Sequence, residues 1–414
     1  MTTDTVSEKL AAFVDSLEIP QNSFQKKSFE SLLQLDFPTT KSEYWKYTRV
    51  GKITNSKLQI PKEVRITIDE LRSEIIASNY LVIENGVLRT DLSKYAQAGV
   101  TVKSFKPEST SQESNLDQNH IFTALNASFF QESIEITVDA KTEMTEPLQL
   151  IFVTSGKNTF ANPRIKIVAQ KFSSTKFVAS FISVNSENSF NNVITEFIAD
   201  ENAVLVYDKI QNESESNFHV STEEISQEKN SNFKINTVTL DGTLVRNNIN
   251  ISVNGENCET HMNGVIIAKG NTHVDNHTFV NHKVANCFSN ENYKYVLEDK
   301  ATGVFNGRVI VQQHAQKINA YQKNGNILLS DFAQIFSKPE LEIYADDVKC
   351  SHGSTTGQLD ENAIFYLQAR GISKDKAKKL LVSAFVGEVI DQFSSEAMRE
   401  KINQVLVEKN NWTN

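Results

Sequence analysis

The sequence predicts a mainly β protein built around a long stack of short strands, with a parallel β-helix as the favoured architecture. Short strand-like runs fill the chain from Asn79 to Ile343. Asn is dense between Asn247 and Asn326, and Asn both tolerates left-handed turns and stacks in ladders between coils. No helical crossovers separate the runs, which argues against a doubly wound α/β sheet. A strand-rich region of about 260 residues is too long for one ordinary sandwich. Two sandwiches or a propeller would also house it, but short strands, Asn-rich turns and unequal connections favour coils.

The first forty residues read as helical. Leu10, Phe13, Val14 and Leu17 recur at helical spacing, Pro20 ends that run, and Ser23 caps a second helix carrying Phe29, Leu32 and Leu33. KSEYWKYTRVGKI, from Lys41, reads as a docking segment that packs Trp45 against the body, in preference to a stacking surface for a ligand. Strand runs follow: LVIENGVL at Leu81, IEITVDA at Ile134, LQLIFVT at Leu148, RIKIVAQ at Arg164, KFVASFISV at Lys176, AVLVYDKI at Ala203, NFKINTVTL at Asn232 and NINISVNG at Asn248. HTFVNH at His277, YKYVL at Tyr293, GRVIV at Gly307, INAYQ at Ile318 and NILLS at Asn326 continue the series. Asn85-Gly86, Asp241-Gly242, Asn254-Gly255 and Lys269-Gly270-Asn271 mark turns between them. Two polar segments, Lys106 to His120 and Gln211 to His219, read as irregular surface loops.

After Gly357 the pattern turns helical. Asp360 caps a helix bearing Ala363, Ile364 and Leu367, and Gly371 ends it. Ser373 caps a second helix with Ala377, Leu380, Leu381, Ala384, Phe385 and Val389 on one stripe. Ser394 or Ser395 starts a third. These helices form a lobe that either caps the sheet end or docks a partner. The chain thus divides into 1–78 (helices and docking segment), 79–357 (β core) and 358–414 (helical lobe).

The net charge of -9 argues against nucleic acid as the main partner. Mean hydropathy is -0.36, and no apolar run is long enough to span a bilayer. The N-terminus lacks the basic and apolar regions of a signal peptide, so the expected compartment is the cytoplasm. Three widely spaced cysteines suggest free thiols. No P-loop, GxGxxG, G-x-S-x-G, HExxH or CxxC motif occurs.

Cys350 and His352 stand two apart where strands give way to helices. On a strand they face the same way, and a thiolate beside an imidazole can hold a borderline metal. Two ligands do not fill a tetrahedral site. Either both are packing residues, or the remaining ligands come from elsewhere, another chain included. His273 and His277 share a face of a strand and His282 follows, but ordinary hydrogen bonding is favoured over zinc for all three. Asp346 and Asp347 are adjacent, hence on opposite faces, and read as a solvated strand end. Cys258 and Cys287 read as small buried apolar residues.

The stretch YADDVKCSHGSTTGQLDENAIFYLQARGIS from Tyr344 resembles the hallmark of the SufB/SufD family of iron–sulfur cluster assembly proteins. KPELEIYADDVKCSHG from Lys338 is similar to the SufD branch in particular. HVDNHTFVNH at His273, VFNGRVIVQQHAQKINAYQKNGNILLS at Val304 and EYWKYT at Glu43 add to the resemblance. It implies a right-handed parallel β-helix between helical termini, in a scaffold subunit with no catalysis of its own. It implies SufB and the ATPase SufC as partners, with a homodimer as the alternative when the chain is alone. Cys350 and His352 map onto metal ligands for transient iron or a nascent Fe–S cluster shared with SufB, and the helices from Asp360 onto the SufC-docking region. A flavin is implied only for the assembled complex. SKPELEI and Ser354-Thr355-Thr356 depart from the family pattern without touching the proposed ligands. The rival is a β-helical carbohydrate-active enzyme, which would need convergent carboxylates or a calcium groove.

Overall fold

The computed structural model describes residues 7–20, 22–61, 66–109 and 120–410. Its strands wind as coils, and each turn gives one strand to each of two sheets. Sheet one runs from Val87–Leu88 and Asn79–Glu84 through Leu148–Lys157, Ser174–Glu187, Val204–Asn212, Asn232–Asp241, Glu259–Ala268, Phe288–Leu297 and Ile318–Leu328 to Val348–Gly357. Sheet two runs from Val100–Phe105 through Ser133–Val138, Arg164–Ala169, Phe190–Ala199, Phe218–Gln227, Leu244–Val253, His273–His282 and Thr302–Val311 to Gln334–Ile343. The result is a parallel β-solenoid of about eight turns with helices at both termini. The β-helix is therefore the architecture adopted, not sandwiches or a propeller.

From Leu148 onward, residues stacked in sheet one lie 27 to 31 apart in sequence. This repeat is carried by ladders, with little repetition of residue type. At the corners, Asn158, Asn188, Asn202, Asn230 and Asn257 all have positive φ. The Asn188 amide donates to Asn158 at 2.8 Å, Asn230 to Asn202 at 2.9 Å and Asn257 to Asn230 at 3.1 Å. Asn188, Asn230 and Asn257 thus supply both the left-handed turn and the bond to the turn beneath. A second ladder lies within sheet one: Asn236 donates to Asp208 at 2.6 Å and Asn263 to Asn236 at 2.8 Å.

The solenoid interior is apolar at its walls, with Phe152, Phe177, Phe181, Phe197, Tyr207 and Tyr295 among the fully buried rings. It also encloses paired polar groups. Lys209 Nζ lies 2.6 Å from Glu223 and 3.1 Å from Asn247, and Asn247 donates to Asn276 at 2.9 Å. Such groups persist in a core only when their partners are in place.

The two ends differ. At the first, both sheets finish in antiparallel pairs: Val87–Leu88 on Asn79–Glu84 and Val100–Phe105 on Ser133–Val138. At the last, Gln334–Ile343 and Val348–Gly357 are parallel edge strands with nothing stacked above them among the described residues. None of their residues is fully buried.

The N-terminal helices Glu8–Val14 and Ser23–Leu32 pack on a wholly buried helix, Ile121–Phe129, which the sequence reading had not anticipated. The cap of the second helix is Asn22, one residue before the expected Ser23. At the C-terminus, Asp360, Ser373 and Ser395 act as caps as expected. Helices Lys374–Ile390 and Glu396–Asn410 lie on the outer face of sheet one, where Val382, Val386 and Val389 meet Val238, Val265 and Val296. They leave the open end uncovered. The buried stripe is rotated from the expected one: Leu380 is exposed, and Val382 and Val386 take its place.

Two other expectations are corrected. The run 211–219 is not a surface loop, because strands occupy both its ends and Gln211, Glu213, Asn217 and His219 are buried. INAYQ and NILLS are not two strands; one strand, Ile318–Leu328, runs through Asn324-Gly325. Most of the expected loop from Lys106 to His120 lies outside the described residues.

Candidate functional site

Cys350 and His352 lie on the last strand of sheet one, in register with Ala320 and Gln322 of the strand below. Both of those residues are buried, so Cys350 and His352 continue two inward-facing columns into the open end. Cys350 packs half-buried against the inner core. Two residues beyond His352, Ser354 donates to Asn324 Oδ1 at 3.2 Å and meets Ser337 Oγ of the opposite sheet at 2.8 Å. A thiol, an imidazole and a hydroxyl therefore line one side of the mouth. Burial pushes the Cys350 thiol up from its ordinary value.

Beneath His352 the column continues through Gln322 to Glu291. Gln322 Nε2 donates to Glu291 Oε2 at 3.1 Å. A Cβ at Gly307, across the interior, would lie 2.7 Å from that carboxylate oxygen and 2.8 Å from the Gln322 amide. Glycine makes the space in which the pair sits. Burial pushes the Glu291 carboxyl up to about 7. Nothing in local sequence marks these residues; the signal is their spacing, one turn and two turns before His352.

The raised value has a definite sign. A carboxyl whose folded pKa exceeds its unfolded value contributes stability below the unfolded pKa, and that stability is lost as pH rises through about 7. Glu291→Gln keeps the shape and removes the titration. We expect the variant to gain on the order of 3 kcal/mol relative to wild type between pH 5 and pH 8.5. Denaturant midpoints at the two pH values check this; equal pH dependence in both proteins would refute it.

The histidine group does other work. His273 Nε2 lies 2.9 Å from Thr48 Oγ1, and His277 Nε2 lies 3.0 Å from Asp275 Oδ1. His282 is on the opposite, inward face and meets Ser289 Oγ at 2.9 Å. Burial pushes all three imidazoles down, His282 to about 4. Asp275 also bonds Thr48 and the buried Arg246, whose Nη1 is 2.6 Å away. Arg246 donates onward to the Tyr44 carbonyl at 2.8 Å and lies 3.8 Å from the Trp45 ring centroid. The motifs at Glu43 and His273 are thus two halves of one contact that clamps the docking segment onto sheet two. Trp45 is buried, as the docking reading requires.

Asp346 and Asp347 are exposed just before the last strand, and Cys258 and Cys287 are buried. Among the described residues, no group of three His, Cys, Asp or Glu side chains is arranged to hold a metal. Cys350 and His352 have no third such side chain grouped with them among the described residues. No described helix is long and apolar enough to cross a membrane.

Residues 152–385 match the family model described as the SufBD core domain of SUF-system FeS cluster assembly. An iron–sulfur cluster assembly SufBD family protein of Synechocystis is 29% identical over 393 residues, covering 89% of this chain and 87% of the relative. The iron–sulfur cluster assembly protein SufD of Escherichia coli is 28% identical over 391 residues, covering 91% and 90%. SufD of Bacillus subtilis is 26% identical over 299 residues, covering 70% and 67%. The family-model match covers most of the coils and the open end, and the matches favour iron–sulfur cluster assembly over the carbohydrate-active alternative. The chain belongs to the SufBD family of iron–sulfur cluster assembly proteins.

Proposed function

We propose that this protein is a scaffold subunit of SufD type that presents Cys350 and His352 to iron or a nascent cluster at an interface with a SufB-type partner. The observation that carries this reading is the open last turn. Its inner face offers a thiol and an imidazole, and among the described residues no strand pairs with the outer edges of its two strands, which invites another sheet. A partner that covers this end supplies the missing ligands and satisfies the edges together. The chain itself performs no turnover in this reading. ATP hydrolysis belongs to a SufC-type subunit, since the sequence has no P-loop. The cytoplasm is the proposed compartment.

The three-part division assigns assembly to 79–357 and SufC docking to 358–414. Support for the docking role is apolar exposure. Phe365 is 72% exposed, Tyr366 55% and Leu380 43%, all on the C-terminal helices. Large apolar groups left exposed together mark interaction surfaces. Co-purification with SufB- and SufC-type proteins, then anaerobic iron loading, tests the whole reading. In that assay Phe365→Glu combined with Tyr366→Glu should weaken SufC capture by about tenfold or more while leaving SufB capture intact. Wild-type SufC affinity in the double variant would remove the lobe from the proposal.

A further inference from the structure

Cys258 and Cys287 occupy the same corner of successive turns. Each immediately precedes a strand of sheet one, and Glu259 stacks on Phe288. The Phe288 amide donates to the Cys258 carbonyl at 2.9 Å, so the two cysteines are direct neighbours along the stack. Adjacent strands lie about 4.8 Å apart, within the Cα separation of roughly 4.4–6.8 Å that a disulfide spans.

The side chains converge as well. Cys258 Sγ lies 3.0 Å from the Gly255 carbonyl, and Cys287 Sγ lies 3.4 Å from the same oxygen. Cys258 also reaches the Glu228 carbonyl at 3.0 Å and Ser231 Oγ, one turn below, at 3.5 Å. A Cβ on Gly255 would lie 2.0 Å from the Lys229 nitrogen. Only glycine lets this corner sit so close to the turn beneath, which fixes the carbonyl that both sulfurs share. The third thiol, Cys350, stacks on Ala320 in a different column, two turns beyond Cys287.

The paired thiols are electronically unequal. A hydrogen bond from Cys287 holds the Cys258 thiol down to about 7 against the opposing effect of burial, and the same bond pushes Cys287 up. This asymmetry favours Cys258 as the attacking thiol and Cys287 as the one that retains its proton.

We propose that Cys258 and Cys287 form a reversible dithiol–disulfide site that is oxidised by small peroxides. The Cys258 thiolate attacks one oxygen of hydrogen peroxide, the O–O bond breaks, and hydroxide leaves and takes up a proton as water. The Cys258 sulfenic acid then meets the Cys287 sulfur. The S–S bond forms, the S–O bond breaks, and the oxygen departs as water with the Cys287 proton. Overall two thiols lose two hydrogens and one peroxide becomes two waters. A dithiol reductant reverses the step. The product ties two turns of the solenoid together at a corner, independently of the open end.

Peptide mapping of the native full-length protein after brief hydrogen peroxide treatment and alkylation tests this. The expected product is a linked peptide pair containing Cys258 and Cys287, lighter by two hydrogens, with Cys350 alkylated. Dithiothreitol should restore both thiols. In Cys287→Ser the reaction should stop at a Cys258 sulfenic acid that dimedone traps. The proposal is overturned if both thiols remain alkylatable when Cys350 is fully oxidised. It is also overturned if they pass to sulfinic acid without linking, or if the link runs to Cys350.

Discussion

Cys350→Ala and His352→Ala should each lower the yield of Fe–S cluster on the assembled complex by roughly tenfold or more, the scale on which loss of metal-site groups is felt. Neither should unfold the protein. Both side chains sit on the terminal strand, His352 exposed and Cys350 only half-buried, with no turn among the described residues stacked on them. Substitutions of that kind typically move stability by less than about 1 kcal/mol. The assay is anaerobic reconstitution read by visible absorbance and by iron and sulfide content. Partner binding must be scored separately by gel filtration. A ligand role predicts normal complex formation with a poor cluster, whereas an interface role predicts loss of the complex itself. Full cluster yield from both variants would remove the ligand assignment.

Arg246→Ala should be the more damaging change to the fold, by roughly 3–5 kcal/mol. The guanidinium is buried against Asp275, the Tyr44 carbonyl, Asn248 and the Trp45 ring. Removing it leaves the Asp275 carboxylate buried and without its cation. Burial alone would push Asp275 up, but Arg246 and His277 hold it well below the usual carboxylate range. Its contribution is therefore present above the unfolded pKa of about 4 and lost as pH falls below that. In the variant the pH dependence should weaken or reverse, because the buried carboxylate keeps His277 and Thr48 but loses its guanidinium. The failure should begin at the docking segment, so limited trypsin digestion should cut near Lys46, Arg49 and Lys52 long before the coils. Arg246→Met with Asp275→Leu should recover part of the loss, since an apolar pair of similar volume leaves no orphaned charge. Cleavage at the wild-type rate in Arg246→Ala would show that the clamp does not hold the segment.

Much of the fold was legible because the turns announce themselves. Asn85 and Gly86 both have positive φ, as an Asn-Gly turn requires, and Gly242 and Gly270 do likewise. The strands that escaped notice, among them Phe190–Ala199, Phe218–Gln227 and Glu259–Ala268, share a different property. Their inward positions carry Asn, Ser, Glu and Thr, including Asn191, Ser221, Glu223 and Thr260, all buried. A polar interior defeats the alternation of apolar and polar residues by which strands are normally read. Asn was ambiguous for the same reason. At the corners it marks a turn, but Asn236, Asn263 and Asn324 lie mid-strand within stacks, and Asn324-Gly325 therefore read as a break. For the candidate site, the spacing of Cys350 and His352 indicated a shared face. The supporting column of Gln322 and Glu291 became visible only once the turn length was known.

The two unlike ends of the solenoid limit how many copies can join. A rod that is adhesive at both ends adds subunits without limit and grows into a fibre. Here one end finishes in reversed strands, the outermost of sheet one only two residues long and that of sheet two bearing Lys103, features that discourage further pairing. Among the described residues, the edges suited to further pairing lie at the other end. In the proposed assembly, one companion covering that end would use them up, so growth through this surface would stop at two. A metal held there would then lie at the centre of a closed pair.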